Sequence, residues 1–262
     1  MSSTVLSAAG EGFQAPGASD FWQPLVGDGA FAITRPMVVM VLSVLLISVV
    51  MVAATKRLTL VPSKGQATTE AVYGLVRNSV ARDIIGSKNF RPYLPLLFAM
   101  FVVILVNNLF AVTPVIQYPT MSRIGFPVAI ALMVYVLYLY IGMKRQGFGG
   151  YLKGLLPAGL PGWIKPLVFF LELLTYFFTR PVTLALRLFG NMFAGHLLLL
   201  LFTLGAEYML LHGGPALKVM SIGPFAMSFV MTVFEILVEF LQAYIFTLLA
   251  ALYIAGSLSD EH

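Results

Sequence analysis

Thr183-Leu-Ala-Leu-Arg187-Leu-Phe-Gly-Asn-Met-Phe-Ala-Gly-His196-Leu-Leu-Leu-Leu-Leu201 sets a permanent cation, an amide and an imidazole inside an otherwise apolar run. A guanidinium does not deprotonate in a protein. Placing one at membrane depth costs roughly 2.5–3.5 kcal/mol on insertion scales. Arg187 therefore cannot carry a proton itself. It can hold, repel or gate a charge that moves past it, and a group this costly points to a function.

The rest of the chain supports a membrane setting for this run. Of the 262 residues, 59 % are apolar and 10 % charged, and mean hydropathy is +0.92. That composition belongs to a polytopic membrane protein rather than a soluble domain. The net charge of +5 comes from basic residues in the loops between apolar spans, so it does not indicate a nucleic-acid partner. Without cysteine there is neither a disulfide nor a thiolate metal site. There is no P-loop pattern, and no metal or cofactor is expected. Met1 is not followed closely by a basic flank and a short apolar core, so no cleavable signal peptide is expected and the first span acts as its own insertion signal.

Residues 1–35 read as a polar N-terminal extension rich in Gly, Ala and Ser, with Glu11, Asp20 and Asp28 as its acids and Phe21-Trp22 as an aromatic contact point. Residues 36–262 read as a single membrane domain. Spans are expected over about 37–55, 93–112, 126–143, 165–211 and 217–257. Between the first two, about 66–85 carries Ala71, Val72, Leu75, Val76, Ser79, Val80 and Ile84 on one face, with Glu70, Arg77 and Arg82 elsewhere. That pattern predicts an amphipathic helix at the membrane interface. Asn107-Asn108 would be wasted facing lipid, and Gly147 to Pro161 predicts a loop. The last two stretches are longer than a straight crossing needs at about 1.5 Å per residue. No basic turn divides either. They read as two long, tilted helices forming a hairpin across Gly213-Gly214-Pro215, with a bend at Pro181. The fold class is an all-α polytopic membrane protein.

Charge asymmetry orients the spans. Residues 56–92 and 144–165 hold eleven Lys and Arg, whereas 1–36, 113–125 and 212–224 hold only Arg35, Arg123 and Lys218. The positive-inside rule puts the N-terminus outside and the C-terminus in the cytoplasm, as an odd number of spans also allows.

Most ionisable groups at membrane depth fall on the last two helices: Glu172, Arg180, Arg187, Asn191 and His196 on the fourth, Glu235, Glu239 and Gln242 on the fifth. At about 100° per residue, Arg180, Arg187 and Asn191 share a side and His196 points roughly opposite to Arg187. Glu235, Glu239 and Gln242 form one polar stripe. Glu and His exchange protons once burial shifts their affinities, and chains of them mark relays. Gly190, Ala194 and Gly195 suit close approach of another helix. Each group has a plainer alternative: Arg187 as a structural lock on Glu235, Glu239 or Gln242, Arg180 reaching for the interface, His196 as a packed and satisfied imidazole, Glu239 as a cap on an amide network. Glu207 and His212 read as solvated. The coincidence of so many costly groups on two adjacent helices favours proton movement.

Arg180-Pro-Val-Thr-Leu-Ala-Leu-Arg187-Leu-Phe-Gly-Asn-Met-Phe-Ala-Gly-His196 closely resembles the signature of subunit a of the F-type ATP synthase. Glu239-Phe-Leu-Gln242-Ala-Tyr-Ile-Phe with Glu261-His262 resembles the family's last helix, and Asn107-Asn108-Leu-Phe-Ala-Val-Thr-Pro114 the end of its second span. The likeness runs from about residue 37 to the end. It implies that Arg187 is the essential arginine facing the carboxylates of a rotating c-ring, with Gly190 and Ala194 on the same interface. It implies that Asn191 and Gln242 border the proton path, that His196 and Glu235 line the outer half-channel with Glu239, and that Glu172 lies near the cytoplasmic half-channel. Many bacterial members carry Glu at the first position of the pair and His at the second; here the order is reversed, as in mitochondrial forms and some bacteria. The implied partners are the c-ring, a peripheral-stalk subunit b, the soluble catalytic ATPase sector and membrane lipid. The implied role is that of a non-catalytic stator in a bacterial plasma membrane, the mitochondrial inner membrane being the alternative location. Two other classes stand against this one. A stand-alone secondary transporter lacks support from any internal repeat, and an intramembrane enzyme using His196 and Glu235 lacks a nucleophile motif.

Overall fold

The computed structural model describes residues 13, 15–17, 24–27, 33–56, 59, 62–113, 116–154, 156 and 161–258. Glu11, Asp20, Asp28, Phe21-Trp22, Arg57, Pro114 and Glu261-His262 lie outside the described residues. Five helices among those described are long and apolar enough to cross a membrane, as an all-α polytopic fold requires.

Helix α1 (Arg35–Thr55) opens with Pro36, whose missing N–H costs nothing in a first turn. It is apolar on every side, and only Pro36 and Ser43 are buried within the protein. Helix α2 covers 64–85. Ser63 starts it by accepting from the Gln66 N–H at 3.4 Å. Its turns over Leu75–Arg82 are of the wide π type. Helices α3 (Leu94–Val112) and α4 (Gly125–Gly154) follow. Helix α5 (Lys165–His212) is continuous, with π-type turns over Thr175–Thr179. Gly213-Gly214 then leads into the short α6 (Pro215–Met220) and the long α7 (Ile222–Leu258). An added Cβ at Gly213 would strike the Met209 carbonyl, so the turn demands glycine.

Helix α7 is the packing axis. It lies against α3, α4, α5 and the end of α2. Its inner face is Ala243, Phe246, Ala250, Ala251 and Ile254, and the small residues let neighbouring helices come close. Arg145 of α4 donates from Nη1 to the Leu258 carbonyl at 2.6 Å, which supplies a cation at the end of α7 where the helix dipole favours one. Tyr118, between α3 and α4, lies within electrostatic reach of Arg35 and Arg123; burial pushes its phenol up to about 12 against their opposing pull.

Three features differ from the sequence-based expectations. The wide turns of α2 bring Val76, Val80, Ala81 and Ile85 into line, a face that includes Ala81 and Ile85 beyond the regular helical period, and it packs on α3 and α7. Residues 148–154, expected in a loop, are helical. Gly147 breaks α4 with φ +70°, and Tyr151 then folds back onto Gly142. Part of the N-terminal extension pairs as two antiparallel strands, β1 (Pro24–Val26) and β2 (Ile33–Thr34).

Helix α1 is held by one buried node. Asn107 Oδ1 accepts from Ser43 Oγ at 3.1 Å and from Thr120 Oγ1 at 3.1 Å, while Asn107 Nδ2 donates to the Val103 carbonyl at 2.8 Å. Replacing Asn107 by Leu removes the acceptor that ties Ser43 of α1 to Thr120, leaving Ser43 only the Met40 carbonyl of its own helix and Thr120 the main-chain carbonyl at 107. Asn107→Leu is expected to cost about 1–3 kcal/mol, read as a lower denaturant midpoint in detergent micelles; an unchanged midpoint would show that the node does not hold α1.

Candidate functional site

The site is built where α5 meets α7. On α5, Leu184, Ala185, Leu188, Met192 and His196 are buried, so this face looks into the protein. Arg187 lies on the other side and is exposed. On α7, Glu235, Glu239 and Gln242 recur on one side and are turned inward. Exposure is 4 % for His196, 5 % for Glu235, 4 % for Glu239 and 3 % for Gln242, so all four are enclosed although their helices present mostly apolar side chains outward.

Two contacts set the spacing of the helices. Asn191 Nδ2 donates to Gln242 Oε1 at 2.6 Å. One turn further, a Cβ at Gly195 would stand 3.2 Å from Glu235 Oε1, so the bare glycine makes room for the carboxyl group. His196 is the next residue along. From α3, Asn108 donates through Nδ2 to the Glu239 main-chain carbonyl at 3.3 Å, fixing the turn of α7 that carries both acids. Among the described residues Gln242 Nε2 donates no hydrogen bond, and the four carboxyl oxygens of Glu235 and Glu239 accept none. Their bonding capacity is therefore open to a mobile donor such as a proton or water, in a setting where buried polar groups otherwise pair.

Arg187 has no ion pair or hydrogen bond to any described residue. No structural lock of Arg187 on Glu235, Glu239 or Gln242 is formed among the described residues, the three being buried and the guanidinium exposed. Thr183, Asn191, Ala194 and Leu198 share its exposed side, and Gly190 beside it is half-buried. No atom lies within 4 Å of a Cβ built at Gly190, so these small residues leave a shallow outer surface and do not pack inside the chain. Glu172 is half-buried, 15 positions before Arg187 and on the far side of the π-type turns. At about 1.5 Å per residue it stands roughly 22 Å along the helix from Arg187, apart from the seam. Glu207 and His212 are exposed, the latter stacked on Tyr208 at 5.1 Å.

Arg180 packs on two aromatic rings. Its guanidinium lies 3.4 Å from the Tyr176 ring centre and 5.0 Å from that of Tyr253. These partners went unrecognised in the sequence, though both leave a signal there. Tyr176 precedes Arg180 by one turn. Tyr253 follows Gln242 by 11 residues, three turns, which puts it near the same stripe. Asn108 was legible as an inward amide, but its bond to α7 was not.

The sequence pattern of the family described as ATP synthase A chain matches residues 37–255. An ATP synthase subunit a from a Nocardioides species is 43 % identical, the match covering 99 % of this chain and 98 % of the relative. Those of Pseudarthrobacter chlorophenolicus and Streptomyces lividans are 40 % and 38 % identical, covering 95 % and 97 % of this chain and 95 % and 90 % of theirs.

The closeness at Gly195 is testable. Gly195→Val drives two methyl groups toward the Glu235 carboxyl. It is expected to cost about 1–3 kcal/mol by overpacking, seen as a lower melting temperature of the purified protein; an unshifted transition would mean that the seam is looser than 3.2 Å implies.

Proposed function

The chain belongs to the ATP synthase A chain family, and from that premise we propose that it is the stator subunit that couples transmembrane proton flow to rotation of a c-ring and so to ATP synthesis. The observation that carries this reading is the division of α5 into two sides. A fixed cation, Arg187, is presented outward with nothing to neutralise it, while His196 and the acids of α7 lie enclosed behind it.

In the proposed cycle protons approach from the outer side past Glu235, Glu239 and His196, with Asn191 and Gln242 bordering the route. They pass to a carboxyl group on the ring, which turns through lipid with its charge neutralised. When that group reaches Arg187, the guanidinium favours its ionised form, so the proton must depart toward a second half-channel near Glu172. The same charge repels any proton that would slip directly between the half-channels. Gly190 and Ala194 give the ring room to pass close to the guanidinium. No step at this chain makes or breaks ATP; that chemistry belongs to the soluble catalytic sector, to which a peripheral-stalk subunit b would tie the stator. The setting proposed is a bacterial plasma membrane, with the N-terminus outside and the C-terminus in the cytoplasm, as the loop charges favour. No metal or cofactor takes part.

Arg187→Ala in the reconstituted complex is expected to abolish ATP-driven proton pumping while leaving ATP hydrolysis by the soluble sector measurable; wild-type pumping would overturn the mechanism. Glu235→Gln is expected to slow ATP synthesis by about 10²-fold or more, the scale set by losing a positioned proton carrier. Unchanged synthesis across the pH range would leave Glu235 a structural role only.

A further inference from the structure

Helix α5 is long, and few of its side chains face the protein. In its lower part, over Lys165–Thr179, none is buried. Over that stretch packing fixes the rotation of the helix weakly, and the buried face of Leu184, Ala185, Leu188, Met192 and His196 begins only after Arg180. Arg187 feels this most, because no partner holds its guanidinium: where it points depends on how α5 is turned. A rotation of about 20° carries a group at roughly 6 Å from the axis through about 2 Å, enough to make or lose a contact with a passing carboxyl group.

Two polar contacts bracket Arg187. Above it is the Asn191–Gln242 bond at 2.6 Å. Below it is Arg180, seven residues earlier, its guanidinium 3.4 Å from the ring centre of Tyr176 of its own helix and 5.0 Å from that of Tyr253 of α7. The aromatic cage is itself braced. Tyr138 of α4 donates from its hydroxyl to the Tyr176 carbonyl at 2.6 Å, and its ring lies 5.7 Å from that of Tyr253. Tyr135 packs edge-on against Tyr138 at 5.6 Å and Phe177 at 6.5 Å. The wide turns over Thr175–Thr179 end where Arg180 begins, so the cage closes at the one place where the helix departs from regular geometry. A guanidinium over an aromatic ring is held more firmly as water is withdrawn from it, and Arg180 and both rings are half-buried.

We infer that Arg180 is a positioning residue: clamped on Tyr253, it fixes the rotation of α5 against α7 and thereby aims Arg187. The inference rests on the reading of Arg187 as the group that faces the ring. Arg180 neither touches a substrate nor moves a proton. Its charge is spent on the two rings, and its effect reaches Arg187 through two turns of rigid helix.

The test uses the intact complex in native membranes. The chain has no cysteine, so Thr183→Cys, exposed on the side of Arg187 and one turn before it, gives a unique handle for disulfide cross-linking to a cysteine on the outer helix of the ring. Arg180→Ala and Tyr253→Leu are each expected to lower the cross-link yield, and the protons pumped per ATP hydrolysed, by at least about threefold, the factor that one lost cation–π contact supplies. The amount of assembled complex should stay at the wild-type level. Tyr253→Phe keeps the ring face and should match wild type in both readings. Wild-type cross-linking in Arg180→Ala, or equal losses in Tyr253→Phe and Tyr253→Leu, would overturn the clamp. If Arg180→Ala does not assemble, the two Tyr253 variants decide. Full pumping by an Arg187→Ala complex would instead remove the gate reading while leaving the cross-link result to stand.

Discussion

The fold depends on the seam between α5 and α7. In an apolar surrounding a polar group must find a partner or be enclosed by protein, because lipid offers neither donor nor acceptor. Glu235, Glu239, Gln242 and His196 meet that demand by lying against the facing helix. Once they do, the rest is constrained. The helices must be close enough for Asn191 to reach Gln242, and a side chain opposite Glu235 must be missing, which Gly195 provides. The remaining surfaces of both helices are then free to be apolar.

Arg187 escapes this constraint, and its exception defines the chemistry. A cation left on the outer side of a membrane helix is stable only where something of opposite charge, or water, meets it. The buried acids cannot serve, since the body of α5 stands between. One helix thus carries a fixed positive charge on its exposed side and meets groups able to bind a proton on its buried side. In the proposed mechanism that separation is what stops protons from crossing without turning the rotor.

Rigidity comes from points outside the seam. Helix α7 is fixed at its end by Arg145 and in its middle by Asn108. Helix α2, its wide turns buried, is wedged beneath α3 and α7. Helix α1 is tied by the Asn107 node, packs Met40 and Ile47 on the core, and presents most of its other apolar side chains outward. Polar bonds at a few sites, set among interlocking apolar faces, hold an assembly in which surrounding lipid would give hydrophobic burial little driving force.

Much of this was legible in the chain. Run lengths and loop charges gave the five spans, the turn at Gly213-Gly214-Pro215 and the side each polar residue occupies, because helical periodicity is a local property. His196 opposite Arg187 and the shared stripe of Glu235, Glu239 and Gln242 follow from it directly. The inward Asn107-Asn108 followed from the cost of an amide in lipid. Other features depend on which helices are neighbours, and periodicity carries no such information. The outward, unpaired setting of Arg187 had a competing reading as a salt bridge until α5 and α7 were placed side by side. The wide turns in α2 and α5, the helical continuation past Gly147 and the hold of Tyr253 on Arg180 are likewise set by packing. The sequence by itself determined which groups are polar and on which helix face they lie; the tertiary structure alone decided which faces meet, because contacts between residues far apart in the chain are chosen by the mutual fit of whole helices.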